Sequence, residues 1–193
     1  MRIHGKIKIK RSTNIELKQH YSQYLELLKK DFGHICGYCG KSEKVTKNAF
    51  EIDHFIPRSL AAELEHNYQN LVYSCFICNR KKGNKWPTKD KLKSNNGKIG
   101  LIDPASDEYD LHLIRRENGI IEGDSDIGKY MCKNIFKFDM RPIRELWLCS
   151  EIISKQEALQ EKIKSMSQPE CNQYIILDIE LKKLQQLLFS KKE

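Results

Sequence analysis

Long apolar runs are missing from this chain. No stretch of its 193 residues approaches the ~20 consecutive apolar residues that a membrane-spanning helix needs, so no membrane segment is expected. The opening residues 1–11 are basic but lack the apolar core of a secretion signal, so the expected location is cytoplasmic. The cysteine count argues against a fully paired disulfide framework. The seven cysteines are an odd number, and in a reducing compartment paired cysteines are better read as metal ligands. Internal repeats are absent too. What remains is a chain with 39% hydrophobic and 31% charged residues, a balance that fits a folded globular protein rather than a disordered one. Its length allows one full core, or a compact core with a helical annex.

Acidic residues are scarce in the first half. Residues 1–100 carry 20 Lys and Arg against 9 Asp and Glu, whereas residues 101–193 carry 14 against 17. Between Asn79 and Lys98 the acidic residue is Asp90 alone, facing Arg80, Lys81, Lys82, Lys85 and four further lysines. Such polarity suits a polyanionic partner at the N-terminal half, with general solubility as the plain alternative. Lysines along 81–98 would track a sugar-phosphate backbone, giving affinity without sequence readout. Trp86 is open to two readings, stacking on a base or packing under the basic loop.

Hydrophobic spacing gives the elements. Residues 6–10 alternate Lys and Ile, as an edge strand or a flexible basic arm would. Residues 15–32 place Ile15, Tyr21, Tyr24, Leu25, Leu28 and Phe32 on one helical stripe, with Thr13 or Asn14 as cap and Gly33 as stop. Phe50–Asp53 and Leu71–Tyr73 read as short strands, and Cys75 or Phe76 to Lys82 as a short helix ended by Gly83. Strand, loop, strand and helix make a ββα unit. Leu111–Ile114 and Ile120-Ile121 flank a turn, so a hairpin is expected. Ile127, Tyr130, Met131 and Ile135 form a stripe, Ile143 to Leu159 a second helix, and Tyr174, Leu177, Leu181, Leu184 and Leu188 a third. That last stripe fits core or a partner-helix surface equally. The expected class is α+β, with a first domain over residues 1–100 that holds the N-terminal helix, the ββα unit and a basic tail, and a hairpin plus helical region over 101–193 that packs on the core or binds a partner.

Two Cys-x-x-Cys pairs, Cys36/Cys39 and Cys75/Cys78, can close a tetrahedral structural Zn²⁺ site. Gly37 and Gly40 supply the tight backbone around the first pair. His34 lies nearby but is not needed as a ligand. Cys132, Cys149 and Cys171 read as small buried hydrophobes.

Asp53-His54, Asn70 and Asn79 fall between or directly after the cysteine pairs. A carboxylate and an amide oxygen suit a hard, octahedral Mg²⁺ or Mn²⁺ ion, and Asp53 and Asn79 supply them. A neutral histidine beside such an ion can take a proton from water, which His54 supplies. Adjacent strand residues point to opposite faces, so Asp53 and His54 can share a site only where the strand ends or bends. One residue turns a helix by ~100°, so Cys78 can face zinc while Asn79 faces the second metal. Lys82, three residues on, is expected to meet a phosphate, as is Arg58, for which a surface salt bridge is the alternative. Glu51 is open between a place near the site and an exposed strand position.

These residues resemble the HNH, or ββα-metal, nucleases. The resemblance lies in Glu-Ile-Asp-His-Phe-Ile-Pro-Arg-Ser at 51–59, Asn70-Leu71-Val72, and Cys-Phe-Ile-Cys-Asn-Arg-Lys-Lys-Gly at 75–83. With Asn at 79 it is similar to the His-Asn-Asn variant. The resemblance implies that His54 is the general base, that Asp53 and Asn79 bind the metal, and that Asn70 orients the loop or the histidine. Leu-Ile-Asp-Pro at 101–104, the hairpin to Gly123, and Gly128–Met131 through Arg141-Pro142 resemble the later part of HNH proteins of bacterial anti-phage systems. Among those are the Septu-type nucleases, which implies work beside an ATPase partner through the C-terminal half. The expected activity is therefore metal-dependent hydrolysis of DNA, with RNA open as a substrate. The competing expectation is a zinc-stabilised nucleic-acid-binding module without catalysis.

Overall fold

A computed structural model of the chain describes residues 1–46 and 49–189. Its centre is the expected ββα unit. Strand β1, Phe50–His54, pairs antiparallel with β2, Leu71–Cys75, in a register that sets Asp53 opposite Val72 and His54 opposite Leu71. Every residue of β2 is buried, as expected of a strand covered on both faces. Helix α2, Phe76–Lys82, follows without a linker. Gly83 stops it at φ +48°, and its N–H still reaches the carbonyl of Asn79 at 2.7 Å. Positive φ costs glycine little, so the turn is placed where the sequence allows it.

The N-terminal helix is shorter than its stripe predicts. A 3₁₀ turn at Tyr21–Tyr24 leads into α1, Leu25–Asp31. The cap is His20, whose side chain accepts from Ser22 N–H, while Gln23 Oε1 accepts from His20 N–H in a capping box. A pattern of apolar spacing does not register where the first N–H groups find acceptors, and Asn14 stands at φ +54°, outside any helix. Tyr24, Leu28 and Phe32 of the stripe are buried. Residues 6–10 form neither a strand nor a loose arm. The segment is irregular and docked: Ile3 and Ile9 are buried, Arg11 Nε donates to Leu71 O at 2.8 Å, and its guanidinium makes a two-pronged pair with Asp103 at 2.8 and 3.0 Å.

The core runs across residue 100. One buried cluster extends from Ile3 to Ile143. Helix α3, Tyr109–His112, precedes the hairpin of β3, Leu113–Arg115, and β4, Ile121–Gly123. Leu111 thus belongs to a helical turn rather than to the hairpin. Tyr109 donates its hydroxyl to Tyr38 O at 2.7 Å, and Phe136 packs on the Tyr38 ring. Helix α4, Asp126–Tyr130, runs on into a π-helical turn at Met131–Ile135. Cys132 and Cys149 are buried and Cys171 is half-buried. The chain ends in a helical hairpin of α5, Ile143–Gln160, and α6, Gln168–Phe189. Leu177 of the expected leucine stripe is buried, while Ile175, Ile176 and Ile179 are exposed. No helix among the described residues is long and apolar enough to cross a membrane.

Gly128 is set by a close approach. A Cβ there would lie 1.8 Å from the carbonyl oxygen of His112 and 3.1 Å from Gly123 Cα. Because these are backbone atoms, no side chain can swing aside. Gly128→Ala is expected to cost about 3 kcal/mol, read in thermal melts as a Tm lower by roughly 6–12 °C. An unchanged Tm would show that α4 is free to move off β4.

Candidate metal centre and catalytic cleft

The two cysteine pairs converge. The Sγ atoms of Cys36, Cys39, Cys75 and Cys78 all lie within 4.8 Å of one another, and all four residues are buried. Cys39 and Cys75 Sγ stand 3.8 Å apart. That is far beyond a disulfide bond of ~2.05 Å. It is about the edge of a tetrahedron drawn around zinc with ~2.3 Å bonds, so the donor set fits Zn²⁺. The first pair is shaped by Cys36 N–H on Lys41 O and Gly40 N–H on Cys36 O, both 2.8 Å, and Gly37 N–H ties it to Tyr73 O of β2. His34 turns away, its Nδ1 pairing with Glu43 Oε2 at 2.8 Å.

Two arginines from the second half reach this centre. Arg141 Nη1 lies 3.4 Å from Cys78 Sγ, with the guanidinium over the Phe138 ring. Fully buried Arg115 donates Nη2 to Cys39 O at 2.6 Å and Nε to Ile3 O at 2.9 Å. Four thiolates around Zn²⁺ leave net negative charge, which a guanidinium offsets in a low-dielectric site. Neither arginine was foreseen, because each lies far along the chain from the cysteine it meets.

Beside this centre a cleft of about 700 Å³ brings together Glu51, Asp53 and His54 of β1, Asn79 and Arg80 of α2, and Arg58. β1 ends at His54, so the two adjacent residues can serve one site. His54 Nε2 lies 2.8 Å from Glu65 O. A carbonyl only accepts, so Nε2 carries the proton and Nδ1 holds the lone pair. Burial pushes the His54 pKa below 6.5, keeping the ring neutral. Tyr21 meets the His54 ring edge-on at 4.8 Å. Arg58 binds Glu65 Oε1 at 2.7 Å and lies over the Tyr21 ring. Arg58 makes the surface salt bridge while also lining the cleft, and it braces the residue whose carbonyl orients His54.

Asn79 Nδ2 donates to Glu51 Oε2 at 2.6 Å, which fixes the amide and leaves Oδ1 without a protein donor among the described residues. Glu51 is therefore a cleft residue. Asn70 is buried away from the cleft. Its Oδ1 accepts from Ile56 N–H at 2.8 Å, and its Nδ2 donates to Ile56 O at 3.1 Å and Leu64 O at 3.4 Å. It clamps the loop that carries Glu65 rather than touching His54.

Lys82 departs from expectation. It is fully buried, its Nζ lying 3.3 and 3.1 Å from the two Asp53 oxygens and 2.6 Å from His54 O. It cannot meet a phosphate, because its stem points into the core from the inner face of α2. Tyr38 also donates to Asp53 Oδ2 at 2.6 Å. Burial raises the Asp53 pKa and lowers that of Lys82, while each opposes the shift of the other. Removing one member of a buried ion pair leaves an uncompensated charge. Lys82→Ala is expected to cost about 3–5 kcal/mol, whereas Lys81→Ala, on the exposed face, stays within about 0.5 kcal/mol of wild type. Paired thermal melts check this, and equal Tm values would contradict the ion pair. Arg80, Lys81 and Lys85 are exposed and Arg80 lines the cleft. Trp86 is buried, edge-on to Phe55, with Nε1 donating to Asp90 O at 2.9 Å, so it packs rather than stacks on a base.

The donors in the cleft are hard oxygens: the Asp53 and Glu51 carboxylates and the Asn79 amide. A carboxylate has about four lone-pair sites. Tyr38 and Lys82 take up to three of those on Asp53, which leaves room for one cation contact. The set fits Mg²⁺ or Mn²⁺ better than a thiol-seeking ion.

Comparison with known proteins agrees with this geometry. Residues 36–85 match the family model described as HNH endonuclease. The chain is 33% identical over 120 residues to the Septu protein PtuB of Bacillus mycoides (strain KBAB4), a match covering 50% of this chain and 39% of that protein. The chain thus matches well under half of its curated relative's length. No solved structure matches. Both cysteine pairs, Asp53, His54, Asn70 and Asn79 lie inside the span that matches the HNH endonuclease model.

Proposed function

We propose that the protein is a DNA endonuclease in which His54 is the general base and Asp53 and Asn79 hold one divalent cation, Mg²⁺ or Mn²⁺. The observation that carries this reading is the His54 Nε2 contact with Glu65 O, which turns a neutral Nδ1 into the available base in a cleft lined with oxygen donors. Such a cation supplies Lewis-acid stabilisation of the phosphate and the departing 3′ oxygen. His54 takes the proton of the attacking water. Glu51 holds the Asn79 amide in place, and Arg80, Lys81 and Lys85 attract the phosphate backbone.

The similarity to a Septu protein supports a role in anti-phage defence. We extend the proposal to an ATPase partner seated on the C-terminal half, where α6 exposes Ile175, Ile176 and Ile179. The Lys82–Asp53 pair favours the second reading, a zinc-stabilised nucleic-acid-binding module, because it neutralises charge that would attract a cation. Incubating the purified protein with plasmid DNA and with RNA, in Mg²⁺, in Mn²⁺ and in chelator, separates the two. Cleavage of DNA only with added metal supports the nuclease. Binding without cleavage under every condition supports the module.

The pH profile carries its own expectation. The base form of His54 is the neutral one, and its pKa lies below 6.5. The rate should therefore rise with pH on the acid side and level off above the ordinary histidine range. A rate still rising tenfold per pH unit above pH 7 would remove His54 from that role.

A further inference from the structure

We propose that Phe76 and Arg80 form a stacking shelf for one unpaired base next to the scissile phosphate, so that the substrate is single-stranded or locally opened at that point. The inference rests on the nuclease reading and specifies its substrate.

Phe76 is the first residue of α2 and lies between two buried zinc-ligand cysteines, yet it is 45% exposed. Its backbone is fixed by the N–H bond to Ala49 O at 2.8 Å. One helical turn later the Arg80 guanidinium lies over that ring, 4.8 Å from its centroid. Residues four apart on a helix share a face, and here that face borders the cleft. Arg80 lines the catalytic cleft, whereas Phe76 lines a second hollow of about 300 Å³ with Ile77, Ala49 and Lys41; Glu51 lines both. The two spaces therefore adjoin across Glu51.

An apolar floor and an aromatic ring with a guanidinium stacked on it are the features that hold a nucleobase, whose π-face is uncharged while its backbone is anionic. In a duplex both faces of each base are covered by its neighbours, so only an unstacked base can lie on Phe76. A protein partner could also cover Phe76 and Ile77. The basic side chains favour a nucleic-acid strand instead: Arg80, Lys81 and Lys85 have no ion-pair partner among the described residues.

The test uses the full chain carrying His54→Ala, zinc-loaded, so that binding is read without cleavage. It is titrated with a single-stranded oligonucleotide containing 2-aminopurine and with the matching duplex. Binding of the single strand is expected to quench the probe. Adding Phe76→Ala or Phe76→Leu should abolish the quenching and weaken single-strand binding about 5- to 150-fold, with duplex binding unchanged, whereas Phe76→Trp should retain both signals. Zinc content and Tm of each variant guard against misfolding, and Phe76→Leu keeps the apolar bulk if Phe76→Ala fails to fold. Quenching and affinity that survive both substitutions would overturn the shelf, leave the nuclease reading standing, and point to Phe76 and Ile77 as a protein-docking face. Equal weakening of single strand and duplex would also overturn it. If the His54→Ala chain cuts like wild type, the role of His54 as general base fails while the quenching still decides the shelf. No nucleic-acid binding by any variant would overturn both.

Discussion

Cys39→Ser is expected to leave the protein unfolded or insoluble, without bound zinc and without cleavage. A structural zinc site contributes an apparent ~10–16 kcal/mol at neutral pH, against a net stability of about 5–15 kcal/mol for a whole domain. Few other contacts could compensate. The four thiols are buried in the ββα unit, where Gly37 N–H bonds to β2 and Arg115 anchors the hairpin to Cys39 O. Losing one ligand therefore loosens both halves of the chain at once. Zinc stoichiometry by metal analysis and circular dichroism report the result. The same logic separates the cysteine site from the proposed cleft cation: a chelator that removes only that cation should stop cleavage and leave the fold and zinc content intact. Cleavage that survived selective zinc loss would contradict this division of roles.

His54→Ala should act in the opposite way, keeping zinc and fold while lowering the cleavage rate about 10²- to 10⁴-fold, the usual worth of a positioned general base. Among the described residues the ring makes one hydrogen bond, to Glu65 O, and an edge contact with Tyr21, and neither touches the cysteine cluster, so its removal should leave the zinc content unchanged. The rate loss should appear in single-turnover measurements at saturating nucleic acid, since a general base of the kind proposed for His54 acts on water rather than on binding. Arg58→Ala should give a smaller loss of the same kind. Arg58 braces Glu65 and Tyr21 and reaches the proton transfer only through them.

Much of the site was legible because metal ligands and acid–base groups must be particular residue types. Cysteines two apart, an Asp-His pair at a strand end, and an asparagine one step past a ligand cysteine each limit what the chain can build. The contributions that stayed hidden carry no such signature. Glu65 acts through its backbone carbonyl, which every residue possesses. Lys82 stands in a run of surface lysines, and charge alone does not reveal that its stem reaches inward to Asp53. Arg115 and Arg141 meet the cysteines from positions 76 and 63 residues away in the chain, distances that only tertiary packing closes. The late start of the first helix has a similar cause: apolar spacing continued back to Ile15, but the acceptor for the first N–H groups was the His20 side chain. The hairpin and final helices were legible from periodicity. Their attachment to the four-cysteine centre was not, because Tyr109, Phe136 and the two arginines had no pattern linking them to it.

Zinc as frame and His54 as catalyst is the central claim, and one comparison tests it most directly. Zinc-loaded wild-type and zinc-loaded His54→Ala protein are each mixed with plasmid DNA and Mn²⁺, and the cleavage rates are followed with zinc content measured on the same samples. The account expects equal zinc and a rate at least about 100-fold lower for the variant. Equal zinc with equal rates would contradict it.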